Sequence, residues 1–434
     1  MADFLWYEIA AIVFGMILLF LVTGVPVAVA LGFVGILTAY FFLDRMGVVG
    51  YAAWQMSSSF VLGAIPLFIF MGQLLLHGGV SQRLYEGSTA LTGKTKGGLL
   101  QTNIIACAIF SAITGSSVAT SATIGAMAIP ELEKREYDRR LTMGSLAAGG
   151  TLGILIPPST GLIIYGVIVE QSIGDLFIAG VIPGIMLTFL YMCYIWTRVL
   201  FNPDLAPSFV AMEFKERYKK VLLMWPVLFI ILVILFGIYF GIMTPAEAAA
   251  IGASLALGFT IAYRKLTWEV LRDSLIGTVK TTSMLIFIMV SASIIGGTLA
   301  LLRIPDLLAA WVISLSVHPV LILMIIYSMY IVLGCFIDAV SMIVMTLPIV
   351  FPIILNLGYD PIWFGIIVVI LVEIAMITPP IGLNVYTIHS IRPKQPLSDV
   401  ILGSLPFMGI MILALALLTA FPDIATWLPS TMKE

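Results

Sequence analysis

Apolar runs of about twenty residues follow one another along almost the whole chain, parted by short polar stretches. An α-helix needs roughly 20 such residues to cross a bilayer. In the first half the pattern predicts spans at about 5–22, 25–43 and 52–76, a helical hairpin at about 98–130, and spans near 142–168 and 176–197. The second half predicts spans at about 221–241, 245–263 and 281–301, a hairpin at about 321–356, and spans near 363–390 and 398–421. A polar linker at 201–220 joins the halves, and 422–434 is left as a C-terminal tail.

Two of these runs carry a deliberate interruption. Ile156-Pro157-Pro158-Ser159-Thr160-Gly161-Leu162-Ile163-Ile164-Tyr165 recurs, one residue shorter, as Thr378-Pro379-Pro380-Ile381-Gly382-Leu383-Asn384-Val385-Tyr386. Tandem prolines remove backbone donors and clash with the preceding turn, so both runs must break there. Interrupted apolar segments at matching positions of two halves are a pointer to the binding site of a secondary transporter.

The halves match elsewhere too. Pro26 answers Pro245, Leu67-Phe68-Ile69 answers Ile286-Phe287-Ile288, and Thr114-Gly115-Ser116-Ser117 answers Leu333-Gly334-Cys335-Phe336, all at an offset of 219 residues. The Pro-Pro pair has an offset of 222. Two repeats of about 1–200 and 221–421 follow. The hairpins consist of apolar helices too short to cross comfortably, meeting at a Gly/Ser tip, which predicts re-entrant segments. Non-helical backbone at that depth is tolerated only inside protein or against a wet cavity.

Composition sharpens this reading. With 61% hydrophobic and 10% charged residues, the chain lies far from the roughly 25% charged content of soluble domains. With the N-terminus outside and five crossings per repeat, 18 of the 21 basic residues fall on inner segments, leaving Arg45, Arg303 and Lys433 outside. That is the positive-inside pattern. An odd number of crossings also turns the second repeat upside down relative to the first. Lys94, Lys96 and the Glu131–Arg140 cluster then anchor the base of the first hairpin. Met1-Ala2-Asp3-Phe4 lacks the basic start of a cleavable signal, so the first span is expected to be retained. Cys107, Cys193 and Cys335 lie in apolar segments without CxxC spacing and read as packing residues.

Catalytic chemistry finds little support. His77, His318 and His389 are scattered, and no GxSxG, HExxH or GxxxxGK[ST] pattern occurs. An intramembrane aspartyl protease is disfavoured because its GxGD element is missing, and nothing points to nucleic acid. Without a nucleotide site, energy would come from an ion gradient. Broken helices in mid-membrane leave carbonyls and amides without intrahelical partners. Freed carbonyls suit a small hard cation such as Na⁺, and helix N-termini suit an anionic group. Hydroxyls stand beside these breaks: Thr114, Ser116 and Ser117 at one tip, Ser159 and Thr160 after the first break, Thr378 before the second. Asp338, just past the second tip, and Glu373, in mid-span, are rare acids at depth and are functional candidates for that reason. A helix N-cap is the bland role open to Asp338, and a contact to a neighbouring helix the one open to Glu373. Glu247, in the first turn after Pro245, reads as a partner of the helix dipole.

Four segments together resemble the large membrane subunit of tripartite ATP-independent periplasmic (TRAP) transporters: Ile113–Thr120, Gly153–Ser159, Thr244-Pro245-Ala246-Glu247-Ala248 and Thr378-Pro379-Pro380-Ile381-Gly382-Leu383-Asn384. The likeness covers essentially the whole chain. It implies an all-α polytopic fold with two inverted repeats, two re-entrant hairpins and two broken transmembrane helices, working as an elevator in the bacterial inner membrane. It implies Na⁺-coupled import of an organic acid, such as a C4-dicarboxylate or a sialic acid, with two or more ions per cycle. The partners it implies are a periplasmic substrate-binding protein and a small four-helix membrane subunit, expected here as a separate chain. By matching position one Na⁺ site would use Thr114, Ser116 and carbonyls of Gly153, Ile156 and Pro158. By internal symmetry a second would use Gly334, Cys335, Ala375, Thr378 and Pro380. Ser117, Ser159, Thr160, Asp338 and Asn384 are the candidates to line the substrate. A stand-alone Na⁺/dicarboxylate symporter of the same architecture is the alternative.

Overall fold

The computed structural model describes residues 5–92, 95–207, 214–315 and 317–432. Met1–Phe4, Lys94, Lys433 and positions 208–213 of the linker lie outside the described residues. Regular structure among the described residues is helical throughout, and seven helices are long and apolar enough to cross a membrane.

The first half runs α1 (Trp6–Val22), α2 (Val27–Thr38), α3 (Gly47–Ser57), α4 (Ala64–His77), α5 (Val80–Thr92), α6 (Leu99–Thr114), α7 (Ser117–Lys134), α8 (Arg139–Gly150), α9 (Thr160–Ile168) and α10 (Ile173–Phe201). The linker region contributes α11 (Phe214–Val221). The second half runs α12 (Trp225–Tyr239), α13 (Pro245–Ala262), α14 (Trp268–Leu301), α15 (Ile304–Ser314), α16 (Pro319–Gly334), α17 (Ala339–Asn356), α18 (Pro361–Ile377), α19 (Leu383–Ile391) and α20 (Leu397–Ala420). A short α21 (Asp423–Ser430) follows.

Several elements depart from the expected boundaries. The run at 52–76 is two helices: α3 stops at the Ser57-Ser58-Ser59 cluster, and a 3₁₀ turn at Phe60–Gly63 leads into α4. Serine side chains compete with helical backbone bonding, and Ser58 Oγ donates to the Gln55 carbonyl instead. The α14 helix starts thirteen residues before the expected span, so Arg272 and Lys280 lie on it rather than in a loop. Its 34 residues at 1.5 Å each reach about 51 Å, against a hydrocarbon core of about 30 Å. The helix is thus longer than the hydrocarbon core, and the charged residues of its first half, Glu269, Arg272, Asp273 and Lys280, lie in the excess length. The segment left as a tail forms α21, which buries Ala425 and packs on α10 and α18.

Helix ends are set locally. At the start of α13, Thr244 Oγ1 accepts from Glu247 N while Glu247 Oε2 accepts from Thr244 N, a reciprocal capping box with Pro245 in the first turn. That gives Glu247 a capping role. Arg217 on α11 donates to the Ala90 and Leu91 carbonyls, 2.9 Å each, and closes the C-terminal end of α5.

Packing pairs elements across the halves in a reciprocal way. The α2 helix lies along α14, and α13 along α4; α7 lies against α19, and α17 against α9; α8 lies against α20, and α18 against α10. Exchanging first-half elements for their second-half counterparts maps each contact onto its twin. At the base of the first hairpin, Arg392 pairs with Glu133 at 3.2 Å and Arg140 with Asp399 at 3.1 Å, tying α7 and α8 to the α19–α20 connection. These pairs are half-exposed, so each contributes at most about 1 kcal/mol. A cleft of about 1150 Å³ opens between α3 and α14 on one side and the ends of α9 and α17 on the other.

Candidate functional site

The first hairpin tip is a two-residue link. Gly115, at φ +57°, ends α6 in the left-handed region, and Ser116 caps α7 by accepting from Ala119 N. The tip is pressed against the first break, where residues 154–159 are non-helical and the Pro157–Pro158 bond is cis. A Cβ on Gly115 would stand 3.2 Å from the Pro158 carbonyl oxygen and 3.2 Å from Thr160 N. A Cβ on Gly153 would fall 2.5 Å from Ser117 N. Thr160 Oγ1 donates to the Gly115 carbonyl at 2.7 Å and locks the two pieces together. Backbone approaches this close require glycine.

Around that contact the polar groups converge. The Thr114 and Thr120 hydroxyls lie 2.8 Å apart. Ser159 caps α9 by accepting from Leu162 N at 3.3 Å, and its hydroxyl donates to the Ile154 carbonyl. Ser117 Oγ donates to Glu373 Oε1. The same carboxylate oxygen accepts from Ile154 N at 3.3 Å. Glu373 on α18 thus joins the hairpin tip to the first break. Its position in mid-span gave no hint of either partner, because they lie 256 and 219 residues away. Thr120, one turn after Ser116 on the same helix, is a polar neighbour that sequence reasoning passed over. The signal for it was the Ser116-Ser117-x-x-Thr120-Ser121 spacing on α7.

The second tip is built differently. The α16 helix ends at Gly334, Cys335-Phe336-Ile337 turn, and Asp338 caps α17 by accepting from Ser341 N at 3.1 Å. The residue equivalent to the Ser116 cap is therefore Asp338, at an offset of 222 like the Pro-Pro pair, and not Cys335. Three extra residues at this tip account for the change from 219 to 222. A Cβ on Gly334 would sit 2.0 Å from Ala375 Cβ, and Cys335 Sγ donates toward the Pro379 carbonyl at 3.6 Å. Gly334, Cys335 and Ala375 are thus brought to the second break, where residues 378–382 are non-helical and the Pro379–Pro380 bond is cis. Thr378 Oγ1 donates back to the Ile374 carbonyl at 2.6 Å, and the Pro380 carbonyl accepts from Tyr386 at 3.4 Å.

The five candidates for substrate contact divide by exposure. Ser117, Ser159 and Asn384 are fully buried, with Asn384 Nδ2 donating to the Ala147 carbonyl at 3.4 Å. Thr160 and Asp338 keep partly exposed side chains. The site's first half holds Ser117, Thr120 and Ser121, where the second has Ala339, Met342 and Ile343 at the same offset of 222. Hydroxyl and carbonyl oxygens at the first site form a hard donor set suited to a small cation of the Na⁺ class. No cluster of His, Cys, Asp and Glu that could hold a transition metal occurs among the described residues.

An all-helical membrane fold with broken helices and hairpin tips meeting in its interior is the architecture of a membrane transporter. Residues 14–424 match the family described as "Tripartite ATP-independent periplasmic transporter, DctM component". The C4-dicarboxylate TRAP transporter large permease protein DctM of Pseudomonas aeruginosa is 36% identical over 405 residues, covering 92% of this chain and 94% of that protein. The sialic acid TRAP transporter large permease protein SiaM of Vibrio cholerae is 31% identical over 416 residues, covering 94% and 96%. The crystal structure of the Alcanivorax borkumensis YdaH transporter, described as having an unusual topology, shares the fold with a TM-score of 0.55. It covers 83% of this chain and 86% of that one at 16% identity. The chain belongs to the DctM family of TRAP transporter large permease subunits.

Proposed function

We propose that this chain is the large permease subunit of a Na⁺-coupled importer of an organic anion in the bacterial inner membrane, fed by a periplasmic substrate-binding protein. A small four-helix membrane subunit, as a separate chain, completes the assembly. The observation that carries this reading is the seating of the α6–α7 tip on the unwound backbone at residues 154–159. It gathers hydroxyls of Thr114 and Ser116 with carbonyls freed by the break, at a place where hydrocarbon would otherwise leave them unsatisfied. The second site, from Gly334, Cys335, Ala375, Thr378 and Pro380, is read by the same logic. An inverted repeat is supported by the reciprocal cross-half packing. Elevator movement is supported by the cleft between α3–α14 and the hairpin-bearing helices.

For a monovalent acid the energetics reach several-thousandfold accumulation, and for a dianion the Na⁺ gradient alone sustains about a hundredfold. Two Na⁺ with a monovalent anion move one net charge, about 2.3 kcal/mol per 100 mV. A tenfold Na⁺ gradient adds about 1.4 kcal/mol per ion. Together roughly 5 kcal/mol sustains several-thousandfold accumulation. The anion class is a C4-dicarboxylate or a sialic-acid-like acid, because relatives of comparable identity carry both names.

Proteoliposomes holding the chain with its small subunit and binding protein test this. Uptake of labelled organic acid is expected to collapse when the Na⁺ gradient is dissipated, and Ser116→Ala is expected to raise the Na⁺ concentration needed. Uptake that persists without a Na⁺ gradient would refute the coupling. Uptake by this chain alone would instead identify a stand-alone symporter.

A further inference from the structure

We propose that Glu373 supplies the negative charge that holds a cation between the α6–α7 tip and the first break. The inference rests on the Na⁺-coupled reading above and assigns that site its counter-charge. Glu373 is 1% exposed, and among the described residues no other Asp, Glu, Lys or Arg is buried to that class. One oxygen, Oε1, takes both hydrogen bonds, from Ser117 and Ile154. The other, Oε2, is buried and has no partner among the described residues. No Lys, Arg or His forms an ion pair with it there.

A carboxylate in that position is an expensive feature unless a positive charge answers it, since an uncompensated buried charge costs several kcal/mol. The cation site has the complementary deficit. Its assigned oxygens, from Thr114, Ser116, Gly153, Ile156 and Pro158, are all neutral. Neutral dipoles solvate Na⁺ but leave its charge standing in low dielectric. Glu373 holds the two segments that carry these oxygens, through Ser117 next to Ser116 and through Ile154 next to Gly153. Its charge therefore lies just behind the oxygen shell on both sides. The equivalent position in the first half, 222 residues earlier, is Thr151, a neutral residue whose hydroxyl pairs with Tyr191 at 3.0 Å. A fully buried carboxylate thus stands behind the first site only, whereas the second tip carries the partly exposed Asp338 as the cap of α17, and the two cations are expected to bind with unequal strength.

Glu373→Gln keeps an acceptor for Ser117 and Ile154 and nearly the same shape, while removing the charge. In the reconstituted complex, the Na⁺ concentration for half-maximal uptake is expected to rise at least about tenfold, equivalent to about 1.4 kcal/mol. The maximal rate at saturating Na⁺ is expected to stay within about threefold of wild type, a loss smaller than one factor of ten. Half-saturation at the wild-type Na⁺ concentration in this variant would overturn the assignment. Should Glu373→Gln not assemble, Glu373→Asp decides: retained Na⁺ affinity supports the charge, and a tenfold loss in the charged variant overturns it. Wild-type uptake indifferent to Na⁺ would remove the coupled reading itself. Na⁺-driven wild-type uptake with an unchanged Glu373→Gln removes this inference alone.

Discussion

Gly153→Ala is expected to reduce Na⁺-driven uptake by one to two orders of magnitude while leaving the protein inserted in the membrane. The new methyl group would lie 2.5 Å from Ser117 N, and 2.6 Å from both the Ser116 carbonyl carbon and Ser117 Cα. These are backbone atoms at the start of α7, so no flexible side chain can swing aside. The tip must instead lift from the break. Overpacking of a tight contact costs about 1–3 kcal/mol, which depopulates the seated tip by roughly ten- to a hundredfold. The lifted tip separates Ser116 from the freed carbonyls, and Ser117 from Glu373, so the proposed cation site would lose both its oxygens and its proposed counter-charge. Initial uptake rates at sub-saturating Na⁺, beside a size-exclusion profile matching wild type, provide the measurement. Wild-type rates would show that the tip need not touch Gly153 during transport.

The second large effect concerns stability. The α8 and α20 helices touch backbone to backbone: a Cβ on Gly144 would fall 2.0 Å from the Gly403 carbonyl oxygen, and one on Gly403 would fall 2.1 Å from that of Arg140. In lipid there is little hydrophobic drive between helices, and small residues that allow close dispersion contact do most of the joining. Gly144→Ala pushes the helices apart along the contact. The expected cost is about 1–3 kcal/mol or more, read as a lowered unfolding midpoint of the detergent-purified protein. Gly258→Ala on α13 is the matched control, since a Cβ there meets nothing within 4 Å. Alanine relieves the entropic penalty of a helical glycine by about 0.5–1 kcal/mol, so this midpoint should stay equal or rise. Equal effects at the two positions would show that the α8–α20 contact does not carry the stability assigned to it.

Much of the architecture was legible because its signals are local. The prolines at 157–158 and 379–380 interrupt apolar runs wherever the chain goes, and Thr114-Gly115-Ser116-Ser117 cannot continue a helix cheaply through Gly115. The amphipathic α5 and the short α15 and α21 are not legible from apolar run length, for the opposite reason. Each is too short or too polar for the span template, although α5 buries Val80, Leu84 and Ser88 at helical spacing. The match between the tips, Ser116 with Asp338, is not encoded locally, because gap placement is ambiguous without the helix caps. The candidate cation oxygens of the first site lie beside their break in sequence or at a tip of unmistakable composition. Glu373 satisfies neither condition.

By itself the sequence determined that this chain is a multi-pass membrane protein, that its halves share motifs at a near-constant offset, and where its apolar runs must break. Those facts follow from apolar run length, repeated residues and the backbone chemistry of proline and glycine, none of which needs a distant partner. Only the tertiary structure decided which broken backbone faces which tip, that Ser117, Ser159 and Asn384 turn inward, and that a carboxylate on α18 grips the first hairpin. Contacts of that kind join residues hundreds of positions apart, and their energies depend on burial and angstrom-scale fit, which no local pattern encodes.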